Sequence, residues 1–187
     1  MPTQLLSAID QQTALCNHTT MKFCPECATL LKEKEADDFT RLICTAPDCF
    51  FTFWNNPTPV AVGLVRLGDD YILARNANWT EGTFSMISGF VEKGEIPEET
   101  IKRELKEELG LTANQLDFIG HFKFDMMNQL MIAYHVQASG DIELSEELVE
   151  FVRVPHQDLK RFDFKHLVLS KHIVLTWLRN QRRVTYG

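Results

Sequence analysis

No stretch of this 187-residue chain is apolar for the roughly 20 residues that a membrane-spanning helix requires, and no signal-peptide pattern opens it. We therefore expect a cytoplasmic protein without a membrane partner. The chain also lacks internal repeats and low-complexity segments. Its apolar fraction of 44% is sufficient for the core of one medium-sized domain or a domain with an appendage.

An excess of positive charge is also missing, since the formal net charge is −7. An acidic protein gains no nonspecific attraction to nucleic acid. A substrate that carries phosphates would therefore have to be held by metal ions and by local basic groups. This balance disfavours nucleic acid as a partner without excluding a capped RNA.

An even set of cysteines is missing, since the chain has five, mostly in one cluster, which argues against a disulfide framework. Four of them form two knuckles, Cys24-x-x-Cys27 and Cys44-x-x-x-x-Cys49. Two thiolate pairs in this order are typical of a zinc ribbon, although the second spacing is wider than usual. We predict a structural Zn²⁺ within residues 21–56, with buried free thiols as the alternative. Cys16 and the nearby His18 fall in a leader over residues 1–20, where a second metal role is a minor alternative.

One acidic stretch is interrupted by glycines, and it runs from Gly89 to Leu111 (GFVEKGEIPEETIKRELKEELGL). Pro97 suits the first turn of a helix and Gly110 suits the position just past its end, so the stretch predicts a helix over residues 97–109. Its buried stripe would consist of Ile101, Leu105 and Leu109, which recur every four residues.

Three glutamates share the helix face beside that stripe, because Glu104, Glu107 and Glu108 stand at i, i+3 and i+4. Like charges at this spacing repel one another and destabilise the helix. A divalent cation makes the arrangement favourable, and carboxylate oxygens select Mg²⁺ or Mn²⁺ over softer ions. The alternative is an exposed acidic helix with ordinary salt bridges, which would explain the charges but not the glycines.

These residues resemble the Nudix box without a missing position: Gly89, five residues, Glu95, seven residues, and then Arg103-Glu104-Leu105-x-Glu107-Glu108-x-Gly110-Leu111. The resemblance implies that Glu104, Glu107 and Glu108 bind the metal and activate water, and that Gly89 lies in the cofactor-binding loop. It also implies that Glu95 pairs with Arg103. A Nudix site recruits one further acid downstream; Glu147 is the first choice, followed by Glu150 and then Glu146.

The implied fold is α/β: a Nudix α/β/α sandwich with a mixed sheet, preceded by the small four-cysteine ribbon. We assign residues 57–160 to the Nudix hydrolase domain and residues 161–187 to a C-terminal helix and tail. The pattern predicts a hairpin of two strands over residues 59–67 and 71–75. It predicts further strands over residues 116–124, 130–138 and 152–154, and a final helix over residues 165–179.

The implied function is Mg²⁺- or Mn²⁺-dependent hydrolysis of the diphosphate in a nucleoside diphosphate linked to X, which releases a nucleoside monophosphate. The ribbon and Ser88-Gly89-Phe90 resemble NADH pyrophosphatases and related hydrolases of ADP-ribose or FAD, a group in which a homodimer would be expected. However, the proline-rich motif of NADH pyrophosphatases is replaced by other residues over His121–Gln129, which argues against NADH itself.

Two other functions remain open. One is removal of an NAD cap from RNA, which would require a basic path that the sequence does not display. The other is a non-catalytic nucleotide sensor or interaction module, which typically loses box glutamates that this chain retains.

Two flanking features have alternative interpretations. The aromatic residues Phe50, Phe51, Phe53 and Trp54 would either stack nucleobases or pack the ribbon against its neighbouring domain, and we favour packing. The basic residues near the C-terminus would either contact phosphates or form the solvated end of a packing helix, and we favour the packing helix. These residues are His166, His172 and the arginines at 179, 182 and 183.

Overall fold

The computed structural model describes residues 21–36 and 38–184, with side chains up to Gln181. The leader over residues 1–20, including Cys16 and His18, lies outside the described residues, as do residues 185–187 and the side chains of Arg182 and Arg183. The chain divides into two compact units between Pro57 and Thr58. Among the described residues, no helix is long and apolar enough to cross a membrane.

The first unit is a small antiparallel sheet beside the cysteine knuckles. Strands β1 (Lys32–Ala36) and β2 (Phe39–Ile43) form a hairpin, and the short β3 (Thr52–Phe53) pairs with β2. Only three residues of its described apolar cluster, Cys24, Leu31 and Cys44, are buried, so a core this small depends on a crosslink such as a metal for independent stability.

The second unit is a mixed sheet of six strands within the described chain, in the order β7-β8-β4-β5-β9 with β6 paired to β4. Strands β4 and β8 are parallel over ten residue pairs, and the other neighbouring strands are antiparallel. The elements are β4 (Thr58–Leu67), β5 (Asp70–Asn76), β6 (Ile87–Phe90), α1 (Pro97–Leu109), β7 (Thr112–Phe124), a 3-10 turn (Asp125–Met127), β8 (Gln129–Ser139), β9 (Leu148–Pro155), α2 (His156–Leu159) and α3 (Val168–Val184).

Alternate residues of β4 reach the two faces of this sheet. Val60 and Val62 pack with Ile173 of α3 on one face, whereas Ala61 packs with Ile101 of α1 on the other. The two helices therefore cover opposite faces of the sheet, which confirms the predicted α/β/α sandwich. Each fully buried leucine or isoleucine in these clusters contributes about 1.5–3 kcal/mol relative to an exposed one.

Strand β7, strand β9 and helix α3 each differ from the sequence-based expectation by three residues or more at one end at least, and α3 extends to Val184 rather than to residue 179. Strand β7 begins at Thr112 rather than at residue 116, because its pairing with β8 extends to the Thr112–Ser139 pair. Strand β9 covers Leu148–Pro155 because it pairs along the whole of β5. Helix α3 begins at Val168 rather than Lys165, because Lys165 has a φ of +53°, which a right-handed helix cannot accommodate.

Candidate functional site

Helix α1 begins and ends at the residues that the sequence indicates. Pro97 occupies its first position, and the amide of Ile96 donates to Glu99 Oε2 at 3.1 Å, which satisfies one of the free amides at the helix start. At the other end Gly110 has a φ of +69°, and its amide donates to the Lys106 carbonyl at 3.1 Å. The helix that carries the acidic residues is therefore fixed at both ends.

Arg103 joins this helix to the loop that precedes it. Its Nε and Nη2 donate to the two carboxylate oxygens of Glu95, at 2.7 and 3.1 Å, in a bidentate pair, and Nη2 also donates to the Phe90 carbonyl at 3.3 Å. The remaining nitrogen, Nη1, donates to Glu104 Oε1 at 2.6 Å and to Glu107 Oε2 at 3.1 Å. One guanidinium thus positions the loop and two of the box glutamates.

Thr100 contributes to the same network, although the sequence analysis did not identify it. Its hydroxyl donates to Glu95 Oε2 at 2.8 Å, and the Glu92 amide donates to the same oxygen at 3.2 Å. Hydrogen bonds from Arg103, followed by that from Thr100, lower the pKa of Glu95 to about 2. The only sign in the sequence was a polar residue at a buried position of an amphipathic helix. That sign does not indicate which residue the hydroxyl contacts.

Gly89, on strand β6, lies directly against the Glu104 side chain. Gly89 pairs with Ala61 of β4, and a Cβ built at position 89 would overlap the Glu104 carboxylate. The absence of a side chain at this position therefore provides the space in which Glu104 lies against the sheet.

The three box glutamates differ in environment. Glu104 is 14% exposed and Glu107 58% exposed, and both contact Arg103. Burial raises the pKa of Glu104. Burial, followed by the charges of Glu104, Glu147 and Glu107, raises the pKa of Glu108 to about 8. Glu108 is therefore a half-buried acid surrounded by like charges, the arrangement that a cation relieves.

The loop before β9 brings a fourth glutamate to this cluster. The amide of Ser145 donates to the Glu108 carbonyl at 3.0 Å, which ties the loop to the end of α1. The charge of Glu147 acts on Glu104 and on Glu108. Glu150, in contrast, accepts from Arg75 Nε at 3.0 Å on the neighbouring strand. No contact of the exposed Glu146 with the cluster is present among the described residues.

The carboxylates have suitable chemistry for Mg²⁺ or Mn²⁺ but are not gathered around one point. Among residues 21–36 and 38–184, the four cysteines form the one set of three or more candidate ligands whose donor atoms all lie within 4.8 Å of one another. Glu104 and Glu107 instead both accept from Arg103 Nη1, at 2.6 and 3.1 Å. Rotation of these side chains would be needed to bring their oxygens onto a single ion.

Comparison with known proteins places this site in a family. Residues 57–174, which include the whole cluster, match the NUDIX domain. The chain belongs to the Nudix family. The fold agrees, since a Nudix hydrolase from Nitrosomonas europaea superposes with a TM-score of 0.65 at 19% identity, over 82% of this chain and 90% of that one.

The similar sequences include NAD-capped RNA hydrolases named NudC. The protein from Pseudomonas aeruginosa is 32% identical over 130 residues, which are 69% of this chain and 45% of the relative. The protein from Mycobacterium tuberculosis is 39% identical over 88 residues, which are 46% of this chain and 28% of the relative. The chain thus aligns with less than half of the length of these relatives.

A tyrosine that the sequence analysis passed over anchors the Nudix helix to the sheet. The hydroxyl of Tyr134, on β8, donates to Glu98 Oε1 at 2.7 Å in the first turn of α1. Within its apolar strand Tyr134 was indistinguishable from a core residue, so no sequence pattern indicated this contact.

The four cysteines of the first unit come together as the spacing predicts. Cys24 and Cys49 Sγ are 3.6 Å apart, and Cys27 and Cys44 Sγ are 3.4 Å apart. Four thiolates bound tetrahedrally at about 2.3 Å from Zn²⁺ would have sulfurs about 3.8 Å apart, so the observed cluster fits this ion. Hydrogen bonding to Thr29 lowers the pKa of Cys27 to about 6, whereas burial and the neighbouring thiols raise the pKa of Cys44 and of Cys49. In the absence of metal the thiolate is therefore favoured at Cys27 and not at Cys44 or Cys49.

The aromatic residues of the ribbon are divided between its core and its surface. Phe51 and Phe53 pack against the cluster that contains Cys24 and Cys44. Phe50 and Trp54 are 93% and 50% exposed. Phe51 and Phe53 therefore belong to the core of the ribbon itself, and packing of these aromatic residues against the neighbouring domain stays a prediction.

Proposed function

We propose that this Nudix chain hydrolyses the diphosphate of a nucleoside diphosphate linked to X, such as NADH, ADP-ribose or FAD, and releases a nucleoside monophosphate. The observation that carries the proposal is the acidic cluster. Glu104, Glu107 and Glu108 lie together on one fixed helix, and the charge of Glu147 acts on the two of them that are most buried.

The cluster would hold Mg²⁺ or Mn²⁺ through Glu104, Glu107, Glu108 and Glu147. Four carboxylates are hard oxygen donors, and the raised pKa of Glu108 marks the unfavourable repulsion that a divalent cation would remove. When bound, such a cation would supply neutralisation of the diphosphate charge and a more acidic water. The proposed zinc of the four-cysteine ribbon has a structural role, because a site closed by four thiolates leaves no position for substrate.

The side chains have separable tasks in this proposal. Glu104 or Glu147 would accept the proton of the attacking water as general base, because both lie in the cluster. Arg103 and Glu95 would keep the loop and the helix in register, so that the reacting groups remain aligned. Gly89 would allow Glu104 to lie against the sheet.

Removal of an NAD cap from RNA is a second candidate, and it is favoured by the similarity to NAD-capped RNA hydrolases from P. aeruginosa and M. tuberculosis. The linkage cleaved would be the same diphosphate, so the candidates differ in the group attached to it. Retention of all three box glutamates argues against a non-catalytic sensor.

A substrate panel tests the proposal. NADH, NAD, ADP-ribose, FAD, diadenosine polyphosphates, nucleoside triphosphates and NAD-capped RNA are each incubated with the chain and Mg²⁺ or Mn²⁺, and products are separated by chromatography. We expect a nucleoside monophosphate from at least one diphosphate-linked substrate and none in the presence of EDTA. Absence of hydrolysis of every substrate with both metals would refute the proposal.

A further inference from the structure

The charge of this chain is strongly segregated along its length. Residues 153–187 contain eight of the 19 lysine and arginine residues but only two of the 26 acidic residues. An excess of six positive charges therefore lies in this segment of a protein whose net charge is −7. Such asymmetry is typical of a surface that meets a polyanion.

Part of this segment forms a concave site. A groove of about 630 Å³ lies between α2 and α3, where His156, Lys160 and Arg179 supply its basic side chains. Leu175 and Leu178 are half-buried, whereas Lys160 and Arg179 are exposed, so an apolar base is bordered by cationic groups. Gln157 and Gln181 add amide groups to the lining. No aspartate or glutamate lines the groove within the described residues.

The two cations of the groove are not neutralised within the protein. Neither Lys160 nor Arg179 forms an ion pair with any residue in the described part of the chain, whereas Lys165 of the same segment pairs with Asp163 at 3.0 Å. A groove that keeps unpaired cations beside apolar side chains is complementary to a ligand with both phosphates and flat apolar groups.

The groove and the acidic cluster lie on different sides of the sheet. Helix α3 packs on the face that contains Val60, and α1 packs on the face that contains Ala61. A small dinucleotide bound at the Nudix helix would not reach both sites. A ligand that uses both must be long and flexible, and its charge must be distributed along its length.

We infer that this groove binds the phosphate backbone of single-stranded RNA, the chain that continues beyond the cleaved diphosphate in a capped transcript. That the ligand is the RNA of a capped transcript depends on the second candidate function. That the groove binds a phosphate backbone depends only on the groove's own residues. A concave site accepts a flexible chain and not a flat bilayer, which favours RNA over an anionic membrane. The sequence showed the basic segment but not this groove, because the groove forms only where Lys160 and Arg179, which are 19 positions apart, come together between α2 and α3.

Direct binding is the first test, measured by fluorescence anisotropy with a labelled, uncapped 20-nucleotide RNA in EDTA so that no hydrolysis occurs. The double variant Lys160→Gln/Arg179→Gln is compared with wild type and with Lys165→Gln. The latter removes one charge from the same segment but outside the groove. Each lost phosphate contact lowers the salt slope by about 0.7, so the double variant should lose about 1.4 units of slope and bind about 25-fold more weakly at 0.1 M salt.

Lys165→Gln should bind nearly as well as wild type. The inference is overturned if wild type fails to bind this RNA with a Kd below about 100 μM. It is also overturned if the double variant binds no more weakly than Lys165→Gln. Dependence on Lys160 and Arg179 for binding to phosphatidylserine-containing vesicles, without such dependence for RNA, would assign the groove to membranes and contradict the inference.

Catalysis separates this inference from the proposed function. The double variant should hydrolyse a small dinucleotide with unchanged kcat and KM, because the groove lies on the other side of the sheet. With NAD-capped RNA its KM should rise by about the same factor as the RNA Kd. If no substrate is hydrolysed, the proposed function fails. The comparison of RNA binding by wild type and the variants still shows whether the groove binds RNA. If the KM for capped RNA is unchanged, the groove does not hold the substrate strand.

Discussion

The Glu104 carboxylate occupies the space that a side chain at Gly89 would require. Gly89→Ala should therefore displace Glu104 from the cluster and lower kcat by at least about 10²-fold, since a shift of about 1 Å at a reacting group costs this much. Steady-state hydrolysis of the substrate identified by the panel checks the result. Gly120→Ala is the matched control, because its added Cβ meets only the Phe122 ring at ordinary contact distances of 3.4–3.5 Å. Equal activity in the two variants would contradict this role for Gly89.

The Arg103–Glu95 pair gives a second prediction. Arg103→Lys cannot make the bidentate contact, so the loop should loosen and kcat/KM should fall about tenfold or more. Arg66→Lys is the control, since Arg66 pairs with the fully exposed Asp69 in a turn. The pKa of Glu95 is lowered to about 2, so the pair is complete above about pH 4.5 and its contribution to stability is lost as pH falls toward 2. Wild-type turnover by Arg103→Lys would show that the bidentate Arg103–Glu95 contact is not needed for catalysis.

The pKa of Glu108, raised to about 8, predicts how pH affects the metal-free protein. Its ordinary value is 4.5, so the folded state favours the neutral acid. The contribution to stability is present below about pH 4.5 and is lost as pH rises through 8. Glu108→Gln should remove this dependence and stabilise the chain at pH 8.5 by roughly 2–4 kcal/mol.

Thermal unfolding in EDTA at pH 5.5 and 8.5 measures this effect. Glu33→Gln, an exposed residue of β1, should retain the wild-type dependence on pH. Added Mg²⁺ should raise the wild-type Tm at pH 8.5 more than that of Glu108→Gln, because a cation relieves the charge that the variant lacks. An identical pH dependence in wild type and Glu108→Gln would contradict the assignment of Glu108 as a half-buried acid that its neighbouring carboxylates repel.

The four-cysteine cluster predicts about one zinc per chain in protein purified without added metal, measured by inductively coupled plasma mass spectrometry. Cys44→Ala removes a buried ligand and should abolish zinc binding and destabilise the ribbon. Cys16→Ala, which changes the one cysteine outside the described residues, should retain the metal. Near-zero zinc in folded wild-type protein would refute the site.

The sequence was sufficient where local rules determine structure. Pro97 and Gly110 marked the ends of α1, and the apolar stripe of Ile101, Leu105 and Leu109 indicated which helix face is buried. Four cysteines in two knuckles predicted the cluster that the ribbon forms. In each case the information lies within a few residues or in an unusual residue type.

The remaining features depend on residues that are distant in the chain. Neither the Tyr134–Glu98 hydrogen bond nor the groove formed by Lys160 and Arg179 has a local signature, because each arises from packing between separate elements. The start of α3 was missed because the left-handed conformation of Lys165 is not predictable from its residue type. Among the downstream acids, Glu150 could be distinguished from Glu147 only through its contact with Arg75.

The central claim is that the acidic cluster on α1 performs metal-dependent diphosphate hydrolysis, and Glu107→Gln tests it most directly. Glu107 is 58% exposed, so this change should leave folding intact. Release of nucleoside monophosphate is followed with Mg²⁺ for wild type, Glu107→Gln, Glu147→Gln and Glu146→Gln. We predict that kcat falls by at least roughly 10²-fold in Glu107→Gln and in Glu147→Gln but remains near wild type in Glu146→Gln. Wild-type turnover by Glu107→Gln would contradict the account.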